Sequence, residues 1–373
     1  MASPNPKAAP RLAAVDALRG LVMVLMTVDH ASGAFNAGRL MSDSARGWVP
    51  GTALDPRQFA TRWMTHLCAP TFVFLAGFSL AMSAERRRAR GEPPAGQDRF
   101  LVTRGLFIAA CDPLWMSWGF DVKDRLLLQV LYAIGMSFVA MAALRRLPPR
   151  ILGALALSVL AGHEALARTL LHLSDGAPGP LAVLLVTGGV VGRFLVAYPL
   201  LPWLAVMALG HAAGALFSND SADRLARRSF GAGVVALAVF LVVRGVDRYG
   251  NLGLHRDDGA LLQWLHVSKY PPSISYATLE LGIMALLLAA FLRVPPGSRW
   301  VAPLVLLGQT AFFFYLLHVQ LLHRAADLLG LHHGGGLLVT YAAAAGAIAV
   351  LMPLCAVYRR YKAAHPDGWT RYV

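Results

Sequence analysis

Apolar residues in this chain neither recur at the intervals of a surface helix nor alternate as in a half-buried strand; they come in long unbroken runs. About 20 mostly apolar residues in a helix cross the hydrocarbon core of a bilayer. That ruler gives ten candidate spans, near 12–30, 63–84, 101–120, 126–144, 151–170, 198–217, 230–247, 273–292, 302–322 and 337–357. The expected fold is all-α, a polytopic membrane bundle of about ten transmembrane helices. The run 181–197 is also apolar, but it holds Gly188, Gly189, Gly192 and Arg193 and runs into Pro199 and Pro202. It reads as a re-entrant or surface-lying segment. Composition agrees with a membrane protein: of 373 residues 57% are hydrophobic and 14% charged, where soluble proteins carry roughly a quarter charged residues. Mean hydropathy is +0.54.

The formal charge of +14 does not point to nucleic acid, because the basic residues sit in short clusters between apolar runs without an aromatic-basic face. Topology accounts for them. Alternate loops on one side hold 20 Lys and Arg against 13 on the other, which by the positive-inside rule puts both termini in the cytoplasm. Arg86-Arg87-Arg88-Ala89-Arg90 is the strongest anchor. Asp16 and Arg19 interrupt the first run too early for a cleaved signal peptide, so it is expected to stay attached. One integral-membrane domain over 1–373 is expected in the cell (inner) membrane, with a flexible cytoplasmic segment 1–10 and a cytoplasmic tail 358–373. The outer loop 31–62, with Trp48, Pro50 and Pro56, is expected to fold over the bundle. Cys68, Cys111 and Cys355 lie in or beside apolar runs at no paired spacing and read as small core residues.

Ionisable residues inside spans are costly unless paired or hydrated, so each is a functional candidate. Asp16 and Arg19 have the spacing of a helical ion pair. Arg19 and His30, eleven residues apart, share one helix face about 16 Å apart. This stripe carries a permanent cation near the cytoplasm and a titratable base near the outside. It suits an anionic cofactor reaching across the membrane toward an external acceptor. Asp29 can support a cationic His30, although consecutive helical residues point about 100° apart and Asp29 can equally cap a neighbouring helix or face water. Alone, His30 reads as an interfacial residue. His66 and His318 at the same depth change that, and the three suggest a polar cavity open to the outside. No tight ligand spacing supports a metal, and His323, His332 and His333 fall in a stretch expected to be an exposed loop. Lys269-Tyr270-Pro271-Pro272-Ser273 opens the eighth span and offers a cation and a phenol, at the outer surface, to a polar acceptor or a lipid headgroup. Gly188-x-x-x-Gly192 and Gly210-x-x-x-Gly214 have helix-packing spacing. Tyr198, Trp203 and Trp264 read as interfacial aromatics.

Several of these segments are also similar to a known family. Arg11-Leu12-Ala13-Ala14-Val15-Asp16-Ala17-Leu18-Arg19-Gly20, running on to Asp29-His30, resembles the opening helix of the heparan-α-glucosaminide N-acetyltransferase catalytic-domain family, in its bacterial branch. His66-Leu67-Cys68-Ala69-Pro70-Thr71-Phe72-Val73-Phe74-Leu75-Ala76-Gly77, Tyr198-Pro199-Leu200-Leu201-Pro202-Trp203, Lys269-Tyr270-Pro271-Pro272-Ser273 and Phe314-Tyr315-Leu316-Leu317-His318 resemble the same branch, in the family's order. In the wider superfamily of transmembrane acyltransferases that acetylate surface sugars, the first helix carries Arg-Gly early and a catalytic histidine at its outer end. His30 falls at that place. The lysosomal enzyme of the family has an asparagine there and its proposed catalytic histidine in the following loop, whereas residues 31–65 of this chain contain no histidine.

The resemblance implies a ten-helix bundle that takes acetyl-CoA from the cytoplasm and passes the acetyl group to an amine or hydroxyl of a sugar or glycoconjugate outside. His30 is then the general base with Asp29 beside it, and His66 or His318 positions the acceptor together with Lys269 and Tyr270. Arg19, Arg11 and Arg104 would meet the cofactor's phosphates. Expected partners are membrane lipid, acetyl-CoA and the acceptor, with no metal and no nucleic acid. Two readings compete: a proton-coupled secondary transporter, against which no duplicated halves are seen, and a non-catalytic membrane scaffold.

Overall fold

The computed structural model describes residues 13–41, 44–91, 94–122, 124–295, 297–365 and 368–372. Helix α1 (Ala13–Phe35) runs through the middle of the bundle. A short helix α2 (Pro56–Trp63) leads through a turn into α3 (Cys68–Ala89), and α4 (Pro94–Cys111) ends in a π-helical turn, Asp112–Met116. The helices α5 (Val130–Leu144), α6 (Pro149–Leu173), α7 (Leu200–Leu216), α8 (Ala222–Val246) and α9 (Ile274–Leu292) follow. Helices α10 (Ala302–Gln309), α11 (Ala311–Leu328) and α12 (Leu337–Ala364) complete the bundle.

The expectation of about ten transmembrane helices is overturned. Among the described residues five helical stretches are long and apolar enough to cross a membrane: Pro56–Ala89, Pro149–Leu173, Ala222–Val246, Ile274–Leu292 and Leu337–Ala364. A sixth is reached only if α10 and α11, which meet at a bend of 87°, are taken as one span. The physical reasons differ by segment. At 1.5 Å per residue, the 15 residues of α5 and the 17 of α7 reach roughly 22 and 25 Å, short of the roughly 30 Å hydrocarbon core. Helix α1 is long enough, but Asp16, Arg19, Asp29 and His30 lower its hydropathy. Helix α4 carries Asp98, Arg99 and Arg104 and breaks at Asp112-Pro113.

Packing follows sequence. Helix α1 lies against α10, α11 and α12, α3 against α7, α4 against α5, and α8 against α9. Close approach of α1 and α10 depends on two glycines. A Cβ on Gly20 would stand 1.9 Å from the Leu304 carbonyl oxygen, and one on Gly308 1.8 Å from that of Asp16. The core is filled by Leu18, Met23, Leu75, Met141, Trp203, Met207 and Phe314. Leu155 and Leu157 on α6, Val235 and Leu241 on α8 and Val350 and Val357 on α12 point outward, where a lipid solvent would accept them.

The 181–197 segment turns back on itself at Thr187 and continues as strands β2 (Gly189–Val191) and β3 (Phe194–Val196). Strand β3 pairs antiparallel with β2 and parallel with β1 (Leu126–Leu128). The small sheet adds to an otherwise all-α fold. The Gly188-x-x-x-Gly192 reading as helix packing is therefore corrected: Gly188, Gly189 and Gly192 have φ of 65°, 123° and 55°, turn conformations that favour glycine. Gly210 does serve packing, against the Phe74 carbonyl of α3.

The described residues 36–41 and 44–55 lie over one end of the bundle, tied by Arg46 to the carbonyls of Thr187 and Gly188 and by the Gly51 amide to Asp257. Nearby, fully buried Arg244 on α8 donates to the carbonyls of Leu254, Gln263 and His266 at 2.6–2.7 Å. Glu164 on α6 accepts from the amides of Gly250 and Leu252. Together they give residues 247–268 a defined path whose one regular piece is the short helix Leu261–Leu265.

Candidate functional site

Two cavities lie in series along α1. The first, of about 410 Å³, is lined by Asp16, Arg19, Arg86, Arg87, Arg104 and Lys362 among other residues. The second, of about 400 Å³, is lined by Asp29, His30, Arg39, Arg62, Lys269 and Tyr270 among others. Met26, Phe72, Val130 and Tyr315 line both. The two cavities therefore adjoin, one basic and one histidine-lined, with those four side chains where they meet.

At the basic end Arg19 is held in place. Its Nη2 donates to the Leu75 carbonyl at 2.9 Å and to Ser79 Oγ at 2.7 Å, and its Nη1 lies 3.6 Å from Asp16. Asp16 also accepts from Gln309 at 3.2 Å. The expected Asp16–Arg19 pair forms, and Arg19 additionally ties α1 to α3. Arg104 differs: it makes no hydrogen bond or ion pair among the described residues, and its guanidinium lies over the rings of Phe138 and Phe100 at 5.6 and 6.0 Å. Arg11 lies outside the described residues.

At the other end His30 Nδ1 stands 2.7 Å from His318 Nε2, and the two rings stack at 4.9 Å. His318 Nδ1 is 3.0 Å from the Phe314 carbonyl oxygen. A carbonyl only accepts, so His318 carries its proton on Nδ1 and, as a neutral ring, presents Nε2 as an acceptor. His30 must then donate from Nδ1, which leaves its Nε2 lone pair to the cavity. The edge of Phe120 packs on the His30 ring at 5.1 Å and Tyr315 at 6.1 Å.

Asp29 does not bond His30. Its Oδ1 accepts from Arg39 at 2.8 Å and Arg62 at 2.6 Å, and Arg39 also binds its backbone carbonyl. The carboxylate is thus doubly compensated and ties α1 to the segments on either side of residue 55. His66 lines neither cavity; it is buried against Tyr276, whose hydroxyl donates to the His66 carbonyl at 2.9 Å. Lys269 was expected at the outer surface but is only 3% exposed. Its backbone amide and that of Tyr270 donate to Ser44 Oγ, which draws both residues inward. Its ammonium makes no hydrogen bond or ion pair among the described residues and lies 5.3 Å from the Tyr270 ring centroid. Pro271 and Pro272 precede α9, whose N-cap is Ser273, accepting from the Tyr276 amide.

Three further expectations are corrected. His323, His332 and His333 all line the histidine-end cavity; His332 and His333 do lie in the turn after α11, His333 exposed, but His323 is buried on α11 with neither ring nitrogen hydrogen-bonded among the described residues. Tyr198 is buried and lines the same cavity, and Trp203 is wholly buried in the core, so neither is an interfacial aromatic. Sequence reasoning also passed over Arg39, Arg62 and Tyr315. A charge-balance argument was available for the first two, since a buried Asp29 needs cations. No cluster of metal-binding side chains is found among the described residues.

No curated protein matches the chain. The family model described as heparan-alpha-glucosaminide N-acetyltransferase, catalytic, matches residues 11–244, roughly two-thirds of the length. The matched stretch carries Arg19, Asp29, His30, His66 and Arg104, while Lys269, Tyr270 and His318 follow it. With most of its length and the whole of its first helix inside that match, the chain belongs to the heparan-alpha-glucosaminide N-acetyltransferase catalytic-domain family.

Proposed function

We propose that this protein is a membrane acetyltransferase that receives acetyl-CoA at the basic end and transfers its acetyl group to an amine or hydroxyl of a sugar or glycoconjugate at the histidine end. The observation that carries the reading is the pair of cavities in series along α1, basic at one end and histidine-lined at the other. Arg104, a cation without a charged partner among the described residues, suits the cofactor's phosphates. The basic end would face the cytoplasm, where acetyl-CoA is made. The pantetheine arm is flexible and slender, and in this reading it reaches between the four side chains common to both cavities while the nucleotide stays behind.

His30 acts as the general base. Its Nε2 takes the proton of the acceptor as that group attacks the thioester carbonyl, and the bond to His318 fixes the tautomer that leaves this lone pair available. Asp29, already bound by Arg39 and Arg62, holds the outer end of α1 in place and sets the field around the imidazole. Lys269 and Tyr270 contact the acceptor from the opposite wall. His66, packed on Tyr276, supports that wall from behind.

Incubation of the detergent-purified protein with labelled acetyl-CoA and a panel of amino sugars, glycolipids and polysaccharide fragments, read by mass spectrometry, tests the reading. Acetylated product is expected from at least one acceptor. Absence of both acetyl-CoA binding and product would favour a transporter or a scaffold.

A further inference from the structure

A carbonyl carried in from one cavity and attacked from the other must pass or pause where the two meet. Four side chains line both cavities: Met26, Phe72, Val130 and Tyr315. Only Tyr315 has a hydrogen-bond donor. Its ring is buried on α11 one turn before His318, and its hydroxyl makes no hydrogen bond among the described residues. That oxygen is also not one of the buried polar atoms sealed off without a partner, so it opens onto cavity space. The His30 and Tyr315 ring centroids are 6.1 Å apart, with the planes at 70°. A buried phenol usually finds a partner within the protein; here none is found among the described residues, on a side chain that lines both cavities.

We infer that Tyr315 is a catalytic residue, the donor that holds the thioester carbonyl oxygen and stabilises the oxyanion formed when the acceptor attacks. The inference rests on the acetyl-transfer reading above. In the step, the acceptor nitrogen or oxygen bonds to the carbonyl carbon as His30 Nε2 takes its proton. The C=O electron pair moves to oxygen, which accepts a hydrogen bond from the Tyr315 hydroxyl. Collapse re-forms C=O and breaks the C–S bond, and the departing CoA sulfur takes the proton from His30. Tyr315 keeps its own proton throughout, so a neutral phenol between the two cavities suits the role.

Tyr315→Phe removes one oxygen atom and tests the assignment. Acetyl transfer to the panel acceptor that the wild type uses best is expected to fall about 10²–10³-fold in kcat, the usual loss for one oxyanion donor. Acetyl-CoA affinity, acceptor KM and thermal midpoint should stay near wild type. Wild-type turnover in Tyr315→Phe would overturn the inference, and so would a loss confined to KM or to stability. A second measurement needs neither acceptor nor turnover. With acetyl-CoA labelled with ¹³C at the thioester carbonyl, isotope-edited infrared spectra of the wild-type complex should place the stretch below that of free acetyl-CoA, and Tyr315→Phe should return it. An unshifted wild-type carbonyl contradicts the role of Tyr315. A wild type that binds and polarises the thioester but acetylates nothing on the panel contradicts the proposed acceptor chemistry and leaves the Tyr315 hydrogen bond standing.

Discussion

At the level of single residues, the decisive arrangement is a short relay: the Phe314 carbonyl, His318, His30, then the open cavity. Each bond in it fixes the proton position of the next ring. His30→Ala should lower acetyl transfer by about 10²–10⁴-fold while leaving acetyl-CoA binding intact, measured as initial rate beside equilibrium binding. His318→Phe keeps a ring but removes the acceptor for His30 Nδ1; kcat should fall at least about tenfold, roughly 1.4 kcal/mol of barrier, with little change in acceptor KM. At the other end the cations separate by their bonds. Arg104→Gln should weaken acetyl-CoA binding. Arg19→Lys should chiefly lower the thermal midpoint, because its fork is spent on Leu75 and Ser79. His30 and His318 were legible in the sequence because an ionisable group in an apolar run is conspicuous at any depth. Tyr315 was not, because a tyrosine among Phe312, Phe313 and Phe314 looks like core. The two partners of Asp29 were reachable only by charge balance, since the stretch holding Arg39 and Arg62 reads in the sequence as a polar loop where arginine excites no suspicion.

Among the secondary-structure elements, the loops at the histidine end carry more of the site than their composition suggested. Lys269 and Tyr270 are drawn inward by Ser44, and the segment before them is fixed by Arg244 and Glu164. Nothing in a hydropathy profile marks Arg244 as the organiser of residues 247–268, because its acceptors are backbone carbonyls far along the chain. Helix positions, by contrast, were well marked by apolar runs and by stops such as Pro148-Pro149 and Pro199. The α1–α10 contact depends on Gly20 and Gly308 meeting opposing carbonyls. Gly20→Ala forces a Cβ into backbone that cannot rotate away, and a loss near the upper end of the 1–3 kcal/mol range for overpacking is expected, read as a lower thermal midpoint in detergent. The same variant should weaken acetyl-CoA binding, because α10 brings Gln309 to Asp16 beside the basic cavity.

For the molecule as a whole, an apolar run proved to be a good sign of helix and a poor sign of a membrane crossing. The run at 302–322 contains a near-right-angle bend, those of α5 and α7 are too short, and α1 carries charge at both ends. Among the described residues five or six helical stretches are long and apolar enough to cross a membrane, and the cavities between the helices are lined both by these and by elements that do not qualify. The two ends of α1 differ: the histidines line only one of the two cavities, although arginines line both. Reporters placed after residues 88 and 45 should accordingly fall on opposite sides of the membrane. The most direct measurement reconstitutes the protein in sealed vesicles, supplies labelled acetyl-CoA only on the side of the basic end, and supplies the acceptor only on the other. Labelled product on the acceptor side, abolished by His30→Ala, is the expected result. Product that forms only when donor and acceptor share a compartment would contradict transfer along α1.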